Sequence, residues 1–230
     1  MNYLIGVDVG TSSTKAVLYG QDAQVITQAN YGYELHRNAA GMAEQEPEEV
    51  INAAEQAIHD VATAADLSTG KLLAVSISSA NQSLLLLDKD KKPFSRLITW
   101  ADSRAQRAAD NLKMMTEGQQ LYMKTGVPVH PMSTLTKLLW LREDEPDLFS
   151  RTAYFADIKA YLFYRLFNEF KVDMSIASST GLMNLKTCDW DDQALRALNQ
   201  LLELFHRQFQ AVDLWLFLQP EEPGHPNHKF

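Results

Sequence analysis

The chain has 230 residues, 46% hydrophobic and 22% charged, with a formal net charge of −8. That is a globular composition, neither disordered nor fibrous. The negative balance repels phosphate backbones and argues against a nucleic-acid partner, and no apolar stretch nears the roughly 20 residues that would cross a bilayer.

Residues 3 to 9 alternate and run apolar up to Asp8, as a strand that delivers an acid to a loop. Residues 10 to 13 read as a tight turn, 14 to 20 as a return strand and 24 to 32 as a third strand. Pro47 opens a helix, with Glu48 and Glu49 at the positive end of its dipole. Val50, Ala54, Ile58, Val61 and Ala65 lie about one turn apart on its core-facing stripe. Residues 72 to 78 and 83 to 88 read as buried strands. The sequence predicts a mixed five-stranded sheet in an α/β domain.

The second half reads as helical. Residues 101 to 115 form a polar-faced helix. Ser133 or Thr134 caps a helix carrying Leu135, Leu138, Leu139 and Leu141, which Pro146 ends. Asp157 caps another and Asp191 a last one through Leu198. After Asn199 the character changes: a short helical stretch is followed by the run Trp215-Leu216-Phe217-Leu218 and eleven final residues that read as unstructured. His225 and His228 in this Pro-rich tail read as bystanders rather than metal ligands. Cys188 is the sole cysteine, and the start reaches Asp8 without a basic leader, so a reducing, cytoplasmic setting is expected.

The strongest chemical signal is Gly6-Val7-Asp8-Val9-Gly10-Thr11-Ser12-Ser13-Thr14-Lys15. Mg²⁺ prefers one or two carboxylates plus waters and phosphate oxygens, and Asp8 at a strand end supplies one. Gly10 removes a side chain where backbone must approach phosphate. The N–H groups and hydroxyls of Thr11, Ser12 and Ser13 suit phosphate oxygens, and Lys15 adds positive charge. A plain hairpin turn has the same composition, so phosphate binding and a bare turn both remain open here. The Walker pattern is absent.

This segment resembles the first phosphate motif of the actin-like ATPases, in the form found in the FGGY family of sugar kinases. Ala43-Glu44-Gln45-Glu46-Pro47-Glu48-Glu49 resembles the family's lead-in to its first helix, and Ile98-Thr99-Trp100-Ala101-Asp102-Ser103-Arg104 its tryptophan segment. Thr125-Gly126-Val127-Pro128-Val129-His130-Pro131-Met132, Thr136-Lys137-Leu138-Leu139-Trp140-Leu141 and a strand at Asp173-Met174-Ser175-Ile176-Ala177-Ser178-Ser179-Thr180-Gly181 resemble later motifs. Several of these segments, with Met183-Asn184-Leu185-Lys186-Thr187, are most similar to the gluconate kinases of the family.

The resemblance implies an actin-like, ribonuclease-H-like N-terminal domain with a mixed sheet and flanking helices, over residues 1–199, followed by a divergent tail at 200–230. It implies phosphorylation of a sugar or sugar acid by ATP with Mg²⁺, and a C-terminal kinase half that holds most of the nucleotide and supplies the base. No segment of the family's base-bearing type occurs here, as a truncation, a frameshift or a split protein would leave it. An inactive remnant that binds sugar without turnover, and a kinase for xylulose or glycerol, are the alternatives. Carried over by residue, Asp8 holds Mg²⁺; Thr11, Ser12, Ser13 and Lys15 face the ATP phosphates. Asn81 and Gln82 fall at the two sugar-contacting positions, where glycerol kinases carry Arg-Glu and xylulose kinases Met-His. Trp100 either walls the sugar pocket or is a core tryptophan. Asp102 and Arg104 are either sugar contacts or a cap and ion pair. Met132 lines the site, and His130 is either structural or ligand-binding. The carboxylate of gluconate suits a cation, for which Arg104 and Lys137 are the candidates.

Overall fold

The computed structural model describes residues 2–68 and 70–198, and the backbone of 211–212. The features expected of the tail from 213 onward, and the short helix expected after 199, lie outside the described residues.

Strand β1 (Asn2–Val9) alternates because one face packs inward: Tyr3, Ile5, Val7 and Val9 are buried. It pairs antiparallel with β2 (Ser13–Gly20), which pairs antiparallel with β3 (Val25–Gly32). A short sheet edge, β4 (His36–Arg37) and β5 (Ala43–Gln45), leads into helix α1 (Pro47–Thr63). Proline opens that helix and Glu48 and Glu49 occupy its first turn, as the sequence predicts. Val50, Ala54 and Val61 of the expected stripe are buried, together with Ile51 and Ala57, against the sheet. Strand β6 (Lys71–Ser79) then returns parallel to β1, giving the mixed order β3-β2-β1-β6.

The fifth expected strand does not join this sheet. Strand β7 (Leu85–Leu87) pairs antiparallel with β9 (Tyr154–Ala156), while β8 (Leu97–Ile98) pairs with β5. The reason lies in the run Leu84-Leu85-Leu86-Leu87. Leu85 and Leu87 belong to the core under the β1 sheet, whereas Leu84 and Leu86 belong to the core of the helical layer. Both faces of this strand are buried, so its sequence is continuously apolar and names no neighbour.

The helical layer comprises α2 (Gln106–Met114), α3 (Thr116–Thr125), α4 (Thr134–Asp144), α5 (Pro146–Arg151) and α6 (Ile158–Phe167). It continues through β10 (Val172–Asp173), α7 (Met174–Ser179), β11 (Met183–Asn184), β12 (Asp189–Trp190) and α8 (Asp192–Ala197). The last described piece, β13 (Ala211–Val212), runs parallel to β10. Ser133 caps α4 by accepting from the Thr136 N–H, and Asp157 caps α6 through the N–H groups of Lys159 and Ala160. Two expectations are corrected. The helix expected from residue 101 starts only at Gln106, and residues 101–105 form a loop in which the Asp102 carboxylate accepts from the Ala43 and Arg104 N–H groups. Only Val172 and Asp173 of the expected strand near 173 are extended, because the Asp173 side chain caps α7 through the Ile176 N–H.

Candidate active site

The parallel neighbours β1 and β6 end side by side, with Asp8 opposite Ser78 and Val9 opposite Ser79. Beyond carboxyl ends of parallel strands the chain is free to form loops around a ligand. A cleft of about 450 Å³ opens there, lined by Asp8, Gly10, Thr11, Ser79, Ala80, Asn81, Gln82, Trp100 and Met132. Residues far apart in sequence thus meet at one place.

The turn after β1 is closed by a hydrogen bond from the Gly10 N–H to the Ser13 carbonyl, 3.0 Å long. A Cβ on residue 10 would lie 3.1 Å from that carbonyl oxygen, a crowded contact that glycine avoids. Asp8 is exposed at the strand end, and its Oδ1 accepts from the Ser78 hydroxyl at 2.6 Å. Lys15 is exposed beside it, paired with Asp8 across the β1–β2 ladder. Ser12 and Ser13 belong to the same turn.

Several side chains that the sequence does not single out brace this turn. Tyr33 donates its hydroxyl proton to the Gly10 carbonyl at 2.7 Å and lies 3.2 Å from the Thr14 hydroxyl. Burial, with the Asp8 charge adding to it, pushes the Tyr33 phenol above its usual range and keeps it a neutral donor. Gln45, 3% exposed, donates from Nε2 to the Thr11 carbonyl at 2.9 Å. Its segment is legible as a motif, but the bracing role is not. Ser78 and Ser79 stand in a polar stretch at the end of an apolar strand, the only sequence signal they carry.

Trp100 is 45% exposed, which excludes the core alternative. Its indole N–H donates to the Thr11 hydroxyl at 2.9 Å, joining the cleft wall to the turn. The backbone that carries it is fixed by Thr99, whose N–H and hydroxyl both donate to the Ala43 carbonyl. Asn81 and Gln82 follow β6 and face the cleft, and Met132 closes the far side.

Asp102 and Arg104 do not line this cleft. Asp102 is 2% exposed and accepts from the backbone N–H groups of Ala43 and Arg104. Arg104 pairs with Asp102 and Glu44 and lies over the Trp140 ring at 4.6 Å. Burial works against its charge, and the two carboxylates more than offset that. These groups clasp the loop below Trp100. His130 accepts the Met132 N–H at Nδ1, and its carbonyl accepts from Thr136 Oγ1 and the Ser133 N–H, a structural lead-in to α4. Lys137 is 1% exposed and donates to the Gln82 carbonyl at 2.5 Å. Burial brings its pKa down to about 7. Neither expected cation therefore reaches the cleft as a carboxylate ligand.

Over residues 3–211 the chain matches the profile described as "FGGY family of carbohydrate kinases, N-terminal domain". The gluconokinase of Bacillus subtilis (strain 168) is 36% identical over 233 aligned residues, covering 96% of this chain and 45% of that protein. A xylulose kinase of the same strain is 31% identical over 194 residues, covering 84% and 38%. Among solved structures, gluconate kinase from Lactobacillus acidophilus is similar at a TM-score of 0.84 and 36% identity, covering 91% of this chain and 41% of that one. The chain spans under half the length of these relatives. Its architecture is the actin-like ATPase fold of those sugar kinases. The exposed acid at the end of β1, the braced turn after it and the open cleft all lie inside the matched segment, and the chain belongs to the FGGY family of carbohydrate kinases through that family's N-terminal domain.

Proposed function

We propose that this chain is the sugar-binding half of an ATP-dependent kinase that converts gluconate to 6-phosphogluconate. The observation that supports it is the convergence of Asp8, Thr11, Asn81, Gln82, Trp100 and Met132 on one cleft. In this reading Asn81 and Gln82 hydrogen-bond the sugar hydroxyls, and Trp100 and Met132 wall the carbon chain. The turn at 10–13, with Lys15 beside it, faces the phosphates of ATP. A terminal hydroxyl attacks the γ-phosphorus, its proton leaves to a base, and ADP departs with the electrons of the broken bond.

Mg²⁺ fits the donor set. Among the described residues no cluster of three His, Cys, Asp or Glu side chains exists, but Mg²⁺ asks for one carboxylate with waters and phosphate oxygens. Asp8 offers that carboxylate at an exposed strand end. The ion would neutralise charge on the phosphates when bound. Asp8 is also the only carboxylate among the described lining residues, so the hydroxyl-orienting base comes from another polypeptide segment. The isolated chain then binds sugar and turns over negligibly, since general acid–base help alone is worth about 10²–10⁴-fold. Among the described residues no helix is long and apolar enough to cross a membrane. We place the protein in the cytoplasm, where an exposed thiol such as Cys188 stays reduced.

One observation favours a second reading, a kinase for a neutral polyol such as xylulose or glycerol: no described cleft-lining residue is a cation. Calorimetric titration of the purified chain with gluconate, xylulose and glycerol decides between them. ADP release is followed in parallel, with and without a separately expressed C-terminal half of a relative. Gluconate binding without turnover by the chain alone is expected. Failure to bind any of the three, or robust turnover unaided, would refute the reading.

A further inference from the structure

Lysine is an expensive residue to seal inside a helical layer. Lys137 lies in the first turn of α4, beside Leu138, Leu139, Trp140 and Leu141, all buried. Among the described residues no carboxylate forms an ion pair with it. The charges acting on it are Asp102, which favours its protonation, and Arg104, which opposes it. Among the described residues its ammonium makes one hydrogen bond, to the Gln82 carbonyl. Desolvating an ammonium costs more than one bond to a carbonyl returns, and leucine or methionine would fill the place more cheaply.

What the bond holds is unusual in its own right. Gln82 has φ of +63°, a left-handed conformation that a Cβ disfavours. It lies where the chain crosses from β6 to β7. The Ala80 N–H is anchored on the Val9 carbonyl before it, and the Leu84 N–H on the Ile98 carbonyl after it, both at 2.8 Å. Between these anchors the Gln82 carbonyl turns inward to Lys137, and the side chains of Asn81 and Gln82 line the cleft. The Gln82 side-chain oxygen and the Ser79 hydroxyl, of two residues that line the cleft, are themselves buried and have no hydrogen-bond partner among the described residues.

We propose that Lys137 is a positioning residue for the sugar subsite: it does not touch substrate, and its grip on the Gln82 carbonyl holds the left-handed turn that presents Asn81 and Gln82 to the cleft. This rests on reading the cleft as a sugar site. Burial brings the lysine's pKa to about 7, so the grip weakens as pH rises through neutrality, because a charged donor binds a carbonyl more strongly than a neutral one.

Hydrogen exchange on the sugar-free chain reads the grip alone. Lys137→Met should speed exchange at the amides of 81–83 by about tenfold or more, with β1 and α1 protected as before. Unchanged exchange there overturns the proposal whatever the sugar does. Calorimetric titration of gluconate should show about tenfold weaker binding by Lys137→Met. In a Gln82→Gly background, where glycine takes the left-handed φ unaided, Lys137→Met should change affinity less than about twofold. Full additivity overturns the proposal, since Lys137 would then act apart from Gln82. Wild-type affinity should fall several-fold between about pH 6 and 8.5, and Lys137→Met should show no such fall; a profile shared by both proteins also overturns it. Should Lys137→Met fail to fold, Lys137→Gln takes its place with the same expectations. If no sugar binds but exchange at 81–83 responds, the sugar reading fails and the positioning role stands.

Discussion

Replacing Lys137 with methionine removes a buried charge while keeping most of the side-chain volume, and the burial of that charge sets the sign of the effect. The lysine's pKa falls from its ordinary 10.5 to about 7, with burial the principal cause. At about 1.4 kcal/mol per pH unit, that gap corresponds to a penalty of about 5 kcal/mol on the charged form in the native state. Against it stands the loss of the bond to Gln82, which leaves a buried carbonyl unpaired at a cost of about 1–3 kcal/mol. At pH 6 the methionine variant should therefore be the more stable protein by about 2 kcal/mol or more. The sign with pH follows from proton counts. Between pH 7 and 10.5 the unfolded chain keeps a proton that the native lysine gives up, so wild-type stability rises with pH. By about pH 9 the penalty has dropped to about 2 kcal/mol and the two proteins converge. Urea unfolding of both proteins, followed by circular dichroism at pH 6, 7.5 and 9, measures the difference directly and cancels every other titrating group. A variant less stable than wild type at pH 6, or a difference that does not change with pH, would refute the reasoning.

Trp100→Phe keeps an aromatic wall but loses the bond to Thr11; calorimetry should show about tenfold weaker sugar binding, with stability in urea lower by no more than about 1 kcal/mol. Asp8→Asn lies at an exposed strand end, so its melting curve should match wild type within about 0.5 kcal/mol, while Mg²⁺ should no longer strengthen ATP binding in a fluorescence titration. Asp102→Asn leaves the part-buried Arg104 charge without its main partner; chemical denaturation should show a loss of about 3 kcal/mol. An Asp102→Asn protein that folds with wild-type stability but changes its sugar preference would return that residue to the substrate site.

Much of the site is legible because its parts are local. The turn at 10–13 announces itself through contiguous residue types: an acid closing an apolar alternation, a glycine, then three hydroxyls. The helix caps at Ser133, Asp157 and Asp191 are equally local, since a cap side chain serves N–H groups two or three residues away. The braces are not. Tyr33 reaches 23 residues back to Gly10, Gln45 reaches 34 back to Thr11, and Trp100 reaches 89 back to the same residue. No pattern in the chain states that these pairs meet. The resemblance to a family fills part of this gap, placing Asn81, Gln82 and Trp100 near a substrate, but it leaves Trp100 divided between wall and core and Arg104 between ligand and clasp. In the structure Trp100 is exposed on the side of the cleft and bonded to Thr11, whereas Arg104 packs on Trp140 and pairs with Asp102 and Glu44 outside it.

By itself the sequence determined the class of fold, the four long strands β1, β2, β3 and β6, the helices whose caps it carries, and the turn after Asp8, because each follows from periods of two or 3.6 and from side chains acting within a turn of themselves. Tertiary structure alone decided the rest. It sent the leucine strand at 85–87 to pair with 154–156 rather than with the main sheet, because a strand buried on both faces is apolar throughout whichever neighbour it takes. It also turned Lys137 from a candidate cation for a substrate carboxylate into a buried donor, because the fate of a charge depends on what the rest of the chain packs around it, and sequence spacing carries no record of that enclosure.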